Sequence, residues 1–341
     1  MPLKDIVGQE TARRSLEGFL AAGKVPHALL FTGPNGCGKR TAAYALAQAA
    51  NCAAPTGGDA CGACASCRRI ANRQDIDTLF FEPARLGIPK ETAEEIRLEA
   101  SITPNSARKK FIIVDRVDTM NPTAANLLLK TFEEPPESTV FVLLTANEHL
   151  ILPTIRSRTI TVGFRPLEAD EAVRAAAGRT DEKIIRFLHP LAKGDVGFML
   201  RLAEDENMKS VFADLEKLLE KRLDGNSGVS PSVIAGEFIS IAGRIDMSSE
   251  DDTESTSQRK SVVFALEALL VFLDRRFSEI VGAGAGTSGG GGAIITDRHR
   301  SLCRRMETAI GTIRAIEGGG HVQLMLETMA LDFIRGAAAA T

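Results

Sequence analysis

Tryptophan is absent from this 341-residue chain, Tyr44 is the one tyrosine, and aromatics make up only 5% of residues. A platform that stacks the successive bases of a single strand needs more rings than that. An excess of positive charge is missing too. Lys and Arg number 41 against 44 Asp and Glu, a net charge of −3, which excludes a protein that coats nucleic acid by bulk charge and leaves only contact through a local patch. The longest apolar run, Val262 to Leu273, is broken by Glu267 and falls short of the ~20 residues that span a bilayer. The opening residues MPLKDIVGQE carry charges early and no apolar core, so no secretory leader is expected. The expectation is a cytoplasmic protein with no membrane partner. Histidines (His27, His149, His189, His299, His321) are scattered without ligand spacing. Cysteines are few, and a reducing compartment argues against a disulfide framework.

At roughly 150 residues per domain, the length allows two or three domains. Up to about residue 165 the chain alternates short apolar runs with helical patterns, as an α/β unit does. Ala28–Thr32 ends at a glycine-rich turn, Phe111–Val114 ends at Asp115, and Thr139–Leu144 is a third run. Continuous apolar strands of this kind suit a parallel sheet covered on both faces. Thr41–Ala50 and Pro122–Phe132 read as helices, the second with proline at its start and Pro135-Pro136 beyond its end. After Phe164 the pattern is helical: Pro166 to Leu202, then Leu215–Leu223, Ser261–Ile280 and Leu302–Ile316. Two interruptions, the polar stretch 246–260 and the glycine-rich stretch 282–292, read as solvated, flexible loops.

Gly33-Pro34-Asn35-Gly36-Cys37-Gly38-Lys39 lies between a strand and a helix. That is the setting of a P-loop, in which backbone N–H groups curl around phosphate oxygens and the lysine adds positive charge. A plain glycine turn is the alternative reading. The next position of the motif holds Mg²⁺ through a Ser or Thr hydroxyl, and here it is Arg40. Thr41 follows one residue late, about 100° further round the helix. Asp115 stands at a strand end, where an acid helps to bind Mg²⁺, and its neighbour is Arg116. The candidate nucleotide residues are Gly33, Gly36, Gly38, Lys39, Thr41 and Asp115. Weak ATP or ADP binding without turnover is expected of them.

Cys52, Cys61, Cys64 and Cys67 lie in one short interval, with Pro55, Gly57, Gly58 and Gly62 permitting tight turns. Four thiolates close a tetrahedral zinc site and leave no position for water, so the metal would be structural. Iron–sulfur clusters share this ligand chemistry, but their usual spacings differ.

These residues resemble the clamp-loader subunits of bacterial DNA polymerase III, which are AAA+ proteins. The resemblance rests on Val7-Gly8-Gln9, the loop GPNGCGK, the four-cysteine insertion, the run Asn126–Pro136 (NLLLKTFEEPP), and Arg156-Ser157-Arg158. It implies an α/β P-loop (AAA+) domain over 1–165 with a zinc module at 52–67. A small helical lid over 166–208 and an all-α C-terminal collar over 209–341 would follow. The motor subunits of that family keep the P-loop Thr and an acid–glutamate pair. Arg40 and Arg116 resemble the delta-prime subunit instead, which lost hydrolysis and kept an arginine finger. Gly197 falls roughly where the motors carry the sensor 2 arginine, and Asn147 best matches sensor 1. Arg158 would be the finger, acting in trans, with Thr159 where the family carries cysteine. Implied partners are the gamma/tau and delta subunits, the sliding clamp and primed DNA, in a hetero-oligomer. Two other readings compete: an active gamma/tau-type ATPase, and a zinc-dependent DNA-binding module with a vestigial nucleotide fold.

Overall fold

The computed structural model describes residues 2–83, 87–220, 229–247, 253–284 and 297–338. The chain divides into two units: residues 1–178 with 193–198, and residues 179–192 with 199–341.

In the first unit the elements run α1 (Glu10–Ala21), β1 (Ala28–Thr32), α2 (Lys39–Asn51), α3 (Ala65–Ala71), β2 (Thr78–Phe81) and α4 (Lys90–Ser101). They continue with β3 (Lys110–Val114), α5 (Pro122–Glu133), β4 (Thr139–Thr145), α6 (Pro153–Arg156), β5 (Ile160–Gly163) and α7 (Ala169–Ala175). The five strands form one parallel sheet in the order β2-β3-β4-β1-β5. Because successive strand residues face opposite sides, the apolar runs feed two cores. Leu29, Phe31, Phe111, Ile113, Val140 and Val142 pack with Leu16 of α1 and Leu46 of α2. Leu30, Ile112, Val114, Phe141 and Leu143 pack with Ile96 of α4 and with Leu128 and Phe132 of α5. The Phe132 and Phe141 rings meet edge-on with centroids 5.0 Å apart, and burying each such side chain contributes roughly 1.5–3 kcal/mol.

The three expected strands are β1, β3 and β4, each buried along its whole length. The sequence pattern misses β2 and β5, which are the sheet edges. Only Val162 of β5 is buried, and the apolar run of β2 is just Leu79-Phe80-Phe81, none of them fully buried. The order sends the chain from β1 to the far edge and back, and ligands in such sheets sit beyond the strand C-termini where the order reverses.

The second unit holds α8 (Glu182–Ala192), the C-terminal part of α9 (Val196–Glu204), α10 (Glu206–Leu218), α11 (Pro231–Ala242), α12 (Glu254–Gly284), α13 (Asp297–Glu317) and α14 (Val322–Ala338). Its core includes the Phe187 ring against Phe212 and Phe272, with Phe238 and Phe333 fully buried. The stretch read as a loop over 246–260 is helical from Glu254, and that over 282–292 is helical through Gly284. Residues 285–292 lie outside the described ones. Residues 254–260 are polar because they form the first two turns of a half-solvated helix, where Arg259 donates to the Ile316 carbonyl at 3.1 Å. Of the helix expected over Leu215–Leu223, residues 221–223 fall outside the described ones, and the helix there begins earlier, at Glu206.

Candidate nucleotide loop, cysteine knuckle and arginine corner

The glycine loop leaves β1 and runs directly into α2. Gly36 has φ +63°, and an added Cβ would lie 1.9 Å from the Asp195 carboxylate, so glycine is required twice over there. Lys39 is 8% exposed. Its ammonium donates to the Gly33 and Pro34 carbonyls at 2.6 and 2.7 Å. Burial holds it below its usual pKa, partly offset by Cys37, Asp115, Asp118 and Asp195. Burial likewise raises the Cys37 thiol, which makes it a packed residue rather than a nucleophile.

Arg40 occupies the position of the metal-holding hydroxyl. Its guanidinium lies 3.7 Å from the Phe80 ring centroid and pairs with Glu82 at 3.1 Å. Thr41 is exposed. Asp115 follows β3 and accepts from the Arg116 backbone N–H at 2.9 Å; Arg116 itself adopts the left-handed conformation at φ +43°. Asn147 accepts from the His149 N–H and caps a short 3-10 turn beyond β4. Gly33, Gly36, Gly38, Lys39 and Asp115 thus gather at the C-terminal edge of the sheet.

Two residues that sequence patterns did not single out, Asp118 and Asp195, complete this edge together with Gln9. Asp118 accepts from the Thr145 hydroxyl at 2.7 Å. Asp195 accepts from the Phe198 N–H at 2.8 Å while lying against Gly36. Gln9 is buried and donates to the Cys37 carbonyl at 3.1 Å and the Arg165 carbonyl at 2.7 Å. Gly8 beside it has φ +72°, and a Cβ there would strike Leu167 and Glu171. The Val7-Gly8-Gln9 signature therefore fastens the phosphate loop to the segment that follows β5.

The other end of α2 carries the cysteines. Cys52 caps that end and Cys64 and Cys67 bracket the start of α3. The four sulfur atoms lie within 4.8 Å of one another. A tetrahedron with metal–sulfur bonds of ~2.3 Å has edges of roughly 3.8 Å, so the cluster can hold a metal such as zinc. Backbone N–H groups already point at three sulfurs: Cys61 N to Cys52 Sγ at 3.3 Å, Cys64 N to Cys61 Sγ at 3.3 Å and Cys67 N to Cys64 Sγ at 3.4 Å. Such bonds favour the thiolate and lower the Cys61 and Cys64 thiols, the latter to about 6. Cys67, fully buried, is pushed up to about 12 by desolvation. Asp59 fixes the intervening hairpin by accepting from the backbone N–H groups of Leu3, Lys4 and Ala60.

Arg158 lies two residues past α6. Its Nε donates to Glu133 Oε1 at 2.6 Å, its Nη2 donates to the same oxygen, and its Nη1 donates to the Thr154 carbonyl at 2.7 Å and the Ser157 hydroxyl at 3.2 Å. Both ends of the ion pair remain partly exposed, Arg158 at 31% and Glu133 at 42%.

The family described as DNA polymerase III, delta subunit, matches residues 8–168. The DNA polymerase III subunit gamma/tau of Mycobacterium tuberculosis is 38% identical over 181 residues, 52% of this chain and 31% of that protein. The delta' subunit of Bacillus subtilis is 35% identical over 160 residues, covering 47% and 48%. The match thus spans about a third of one relative and about half of the other. Among solved structures, a gamma subunit-related protein from Thermotoga maritima aligns over 95% of this chain and 99% of its own with a TM-score of 0.42 and 17% identity, too distant to carry an argument. Family match and relatives fall on the segment that holds the phosphate loop, the knuckle and the arginine corner, so it is over residues 8–168 that this chain is similar to subunits of DNA polymerase III.

Proposed function

We propose that this chain is a catalytically inert, delta-prime-type subunit of a bacterial clamp loader. It helps to place a sliding clamp on primed DNA and contributes Arg158 to the ATP site of a neighbouring subunit. In this reading 1–165 is the P-loop domain, 166–208 a lid and 209–341 the helical collar that assembles with gamma/tau and delta subunits. The observation that carries the reading is Arg40. It replaces the hydroxyl that would hold Mg²⁺ and is stacked on Phe80 and paired with Glu82. Phosphoryl transfer depends on metal ions that neutralise developing charge and on a group that orients water. Arg40 and Arg116 supply neither, while the backbone cradle and Lys39 still permit weak ATP or ADP binding.

Arg158 sits on a partly exposed corner and can meet charge that builds on a neighbour's transferring phosphoryl group. A planar guanidinium does this in a way an ammonium does not. Cys52, Cys61, Cys64 and Cys67 would hold one structural zinc. With four sulfur ligands the ion has no open position and supplies only cohesion of the knuckle.

The second reading, an active gamma/tau-type motor, is favoured by the 38% identity to gamma/tau. One experiment separates the two. ATP turnover and clamp loading are measured in complexes reconstituted with wild-type, Lys39→Ala, Arg158→Ala and Arg158→Lys chains. The inert reading expects Lys39→Ala to match wild type and both Arg158 variants to lose turnover. Arginine fingers elsewhere contribute about 10³–10⁵ in rate, diluted here by the sites that keep theirs. A loss confined to Lys39→Ala would establish the motor instead.

A further inference from the structure

We propose that Glu133 is the positioning residue of Arg158, fixing the guanidinium in the orientation in which it meets a neighbour's phosphoryl group. The inference rests on the reading of Arg158 as a trans-acting finger.

Glu133 is the last residue of α5. The C-terminus of a helix is its negative end, where a carboxylate is disfavoured unless a cation faces it. Lys130 is the basic residue within that last turn, but the cation on the Glu133 carboxylate is Arg158, twenty-five residues away in the chain. The two are brought together because α6 packs against α5, with Ile155 sharing a core with Phe132, which sets the residues after α6 beside the end of α5.

The geometry fixes more than contact. A guanidinium has five N–H groups. The bonds to Glu133, the Thr154 carbonyl and the Ser157 hydroxyl use the one on Nε, one on Nη2 and both on Nη1. One Nη2 N–H is left, on the side away from Glu133. The Thr154 and Ser157 contacts anchor only Nη1, around which a long side chain can still swing. Glu133 is the contact that holds the Nε edge and so sets the plane of the group.

A flexible arginine that must reach across a subunit boundary loses rotamer freedom when it does so. Holding it beforehand removes that cost from the reacting state. The same chemistry operates where a glutamate holds the phosphate-binding lysine of protein kinases and catalysis requires the pair to be in place.

The test uses the reconstituted complex with clamp and primed DNA, measuring kcat and KM for ATP. Chains carry Glu133→Ala, Glu133→Gln, Arg158→Ala, or Glu133→Ala with Arg158→Ala, each checked for assembly by co-elution. Glu133→Ala is expected to reduce the Arg158-dependent part of kcat on the order of tenfold, below the ~10²-fold that an ångström-scale misplacement costs. KM for ATP should stay within about twofold of wild type, because ATP binding is not at issue. Glu133→Gln keeps an acceptor for the Nε–H and should retain most of the rate. The double variant should equal Arg158→Ala alone. A wild-type kcat for Glu133→Ala, or losses that multiply independently in the double variant, overturns the inference and leaves the finger standing. An unchanged rate for Arg158→Ala removes the finger and Glu133's role with it.

Discussion

Helix α2 begins in the phosphate loop and ends in the cysteine knuckle, and its two ends differ in what they have kept. At the knuckle, geometry and chemistry agree: four sulfurs converge, and backbone N–H groups point at three of them. At the loop, the backbone geometry is that of a phosphate cradle, while two side chains depart from the motif. Gly36 and Gly38 keep their positive φ values and Lys39 keeps its place, yet Arg40 and Arg116 stand where a hydroxyl and an acid would be. A backbone cradle is maintained by glycine conformation and packing, which the fold itself requires. Catalytic side chains are supported by nothing except the reaction, so under the proposed inert reading they are free to change while the cradle stays.

The largest expected effect that sharpens this contrast lies at the knuckle. Protein purified without added metal should carry about one zinc per chain. Cys67→Ala should abolish that content and expose residues 52–71 to proteolysis, while the circular dichroism of the sheet unit changes little. Structural zinc contributes apparent binding energies of about 10–16 kcal/mol in small peptides, an upper bound where a core of this size already exists. Iron in place of zinc, or none, would break the comparison.

A smaller effect is expected at the loop. Gly36→Ala forces a side chain into the left-handed conformation and onto Asp195. It should destabilise the first unit by about 1–3 kcal/mol. Combining it with Asp195→Ala should recover the part due to the carboxylate and leave the parts due to φ and to the Asp195 Cα, 2.7 Å from the added Cβ. Equal melting temperatures for Gly36→Ala and wild type would show that the cradle is not under fold-level constraint.

The smallest effect concerns the strap from Gln9 to α7. Hydrogen bonds from Arg165 hold the Glu171 carboxyl below its usual range, aided by the Glu168 N–H. A depressed carboxyl contributes stability that is present above its unfolded value, ~4.3. That stability is lost as pH falls from there through the folded value. The difference in melting temperature between wild type and Glu171→Gln should therefore be greatest near neutral pH and close below about pH 4. A gap that persists in acid would assign the effect to packing.

How much of this was readable from the chain follows from how local each signal is. The strands β1, β3 and β4, the cysteine knuckle and the glycine loop are written in consecutive or closely spaced residues. The edge strands β2 and β5 were not, because each is only four residues long, with an apolar run of at most Leu79-Phe80-Phe81. Nor was the helical start of α12, since a solvated first turn has the composition of a loop.

The sequence by itself determined the parallel α/β core, the four closely spaced cysteines and the two arginines, Arg40 and Arg116, at motif positions of the loop and the β3 end. Periodicity, ligand spacing and residue type at a motif position are one-dimensional properties. Only the tertiary structure decided that Asp195 lies against Gly36, that Gln9 straps the loop to Arg165, and that Glu133 meets Arg158. Each of these pairs joins residues far apart in the chain through one or two contacts. No repeat or composition marks such a pair, and it exists only because the fold brings distant segments of the chain side by side.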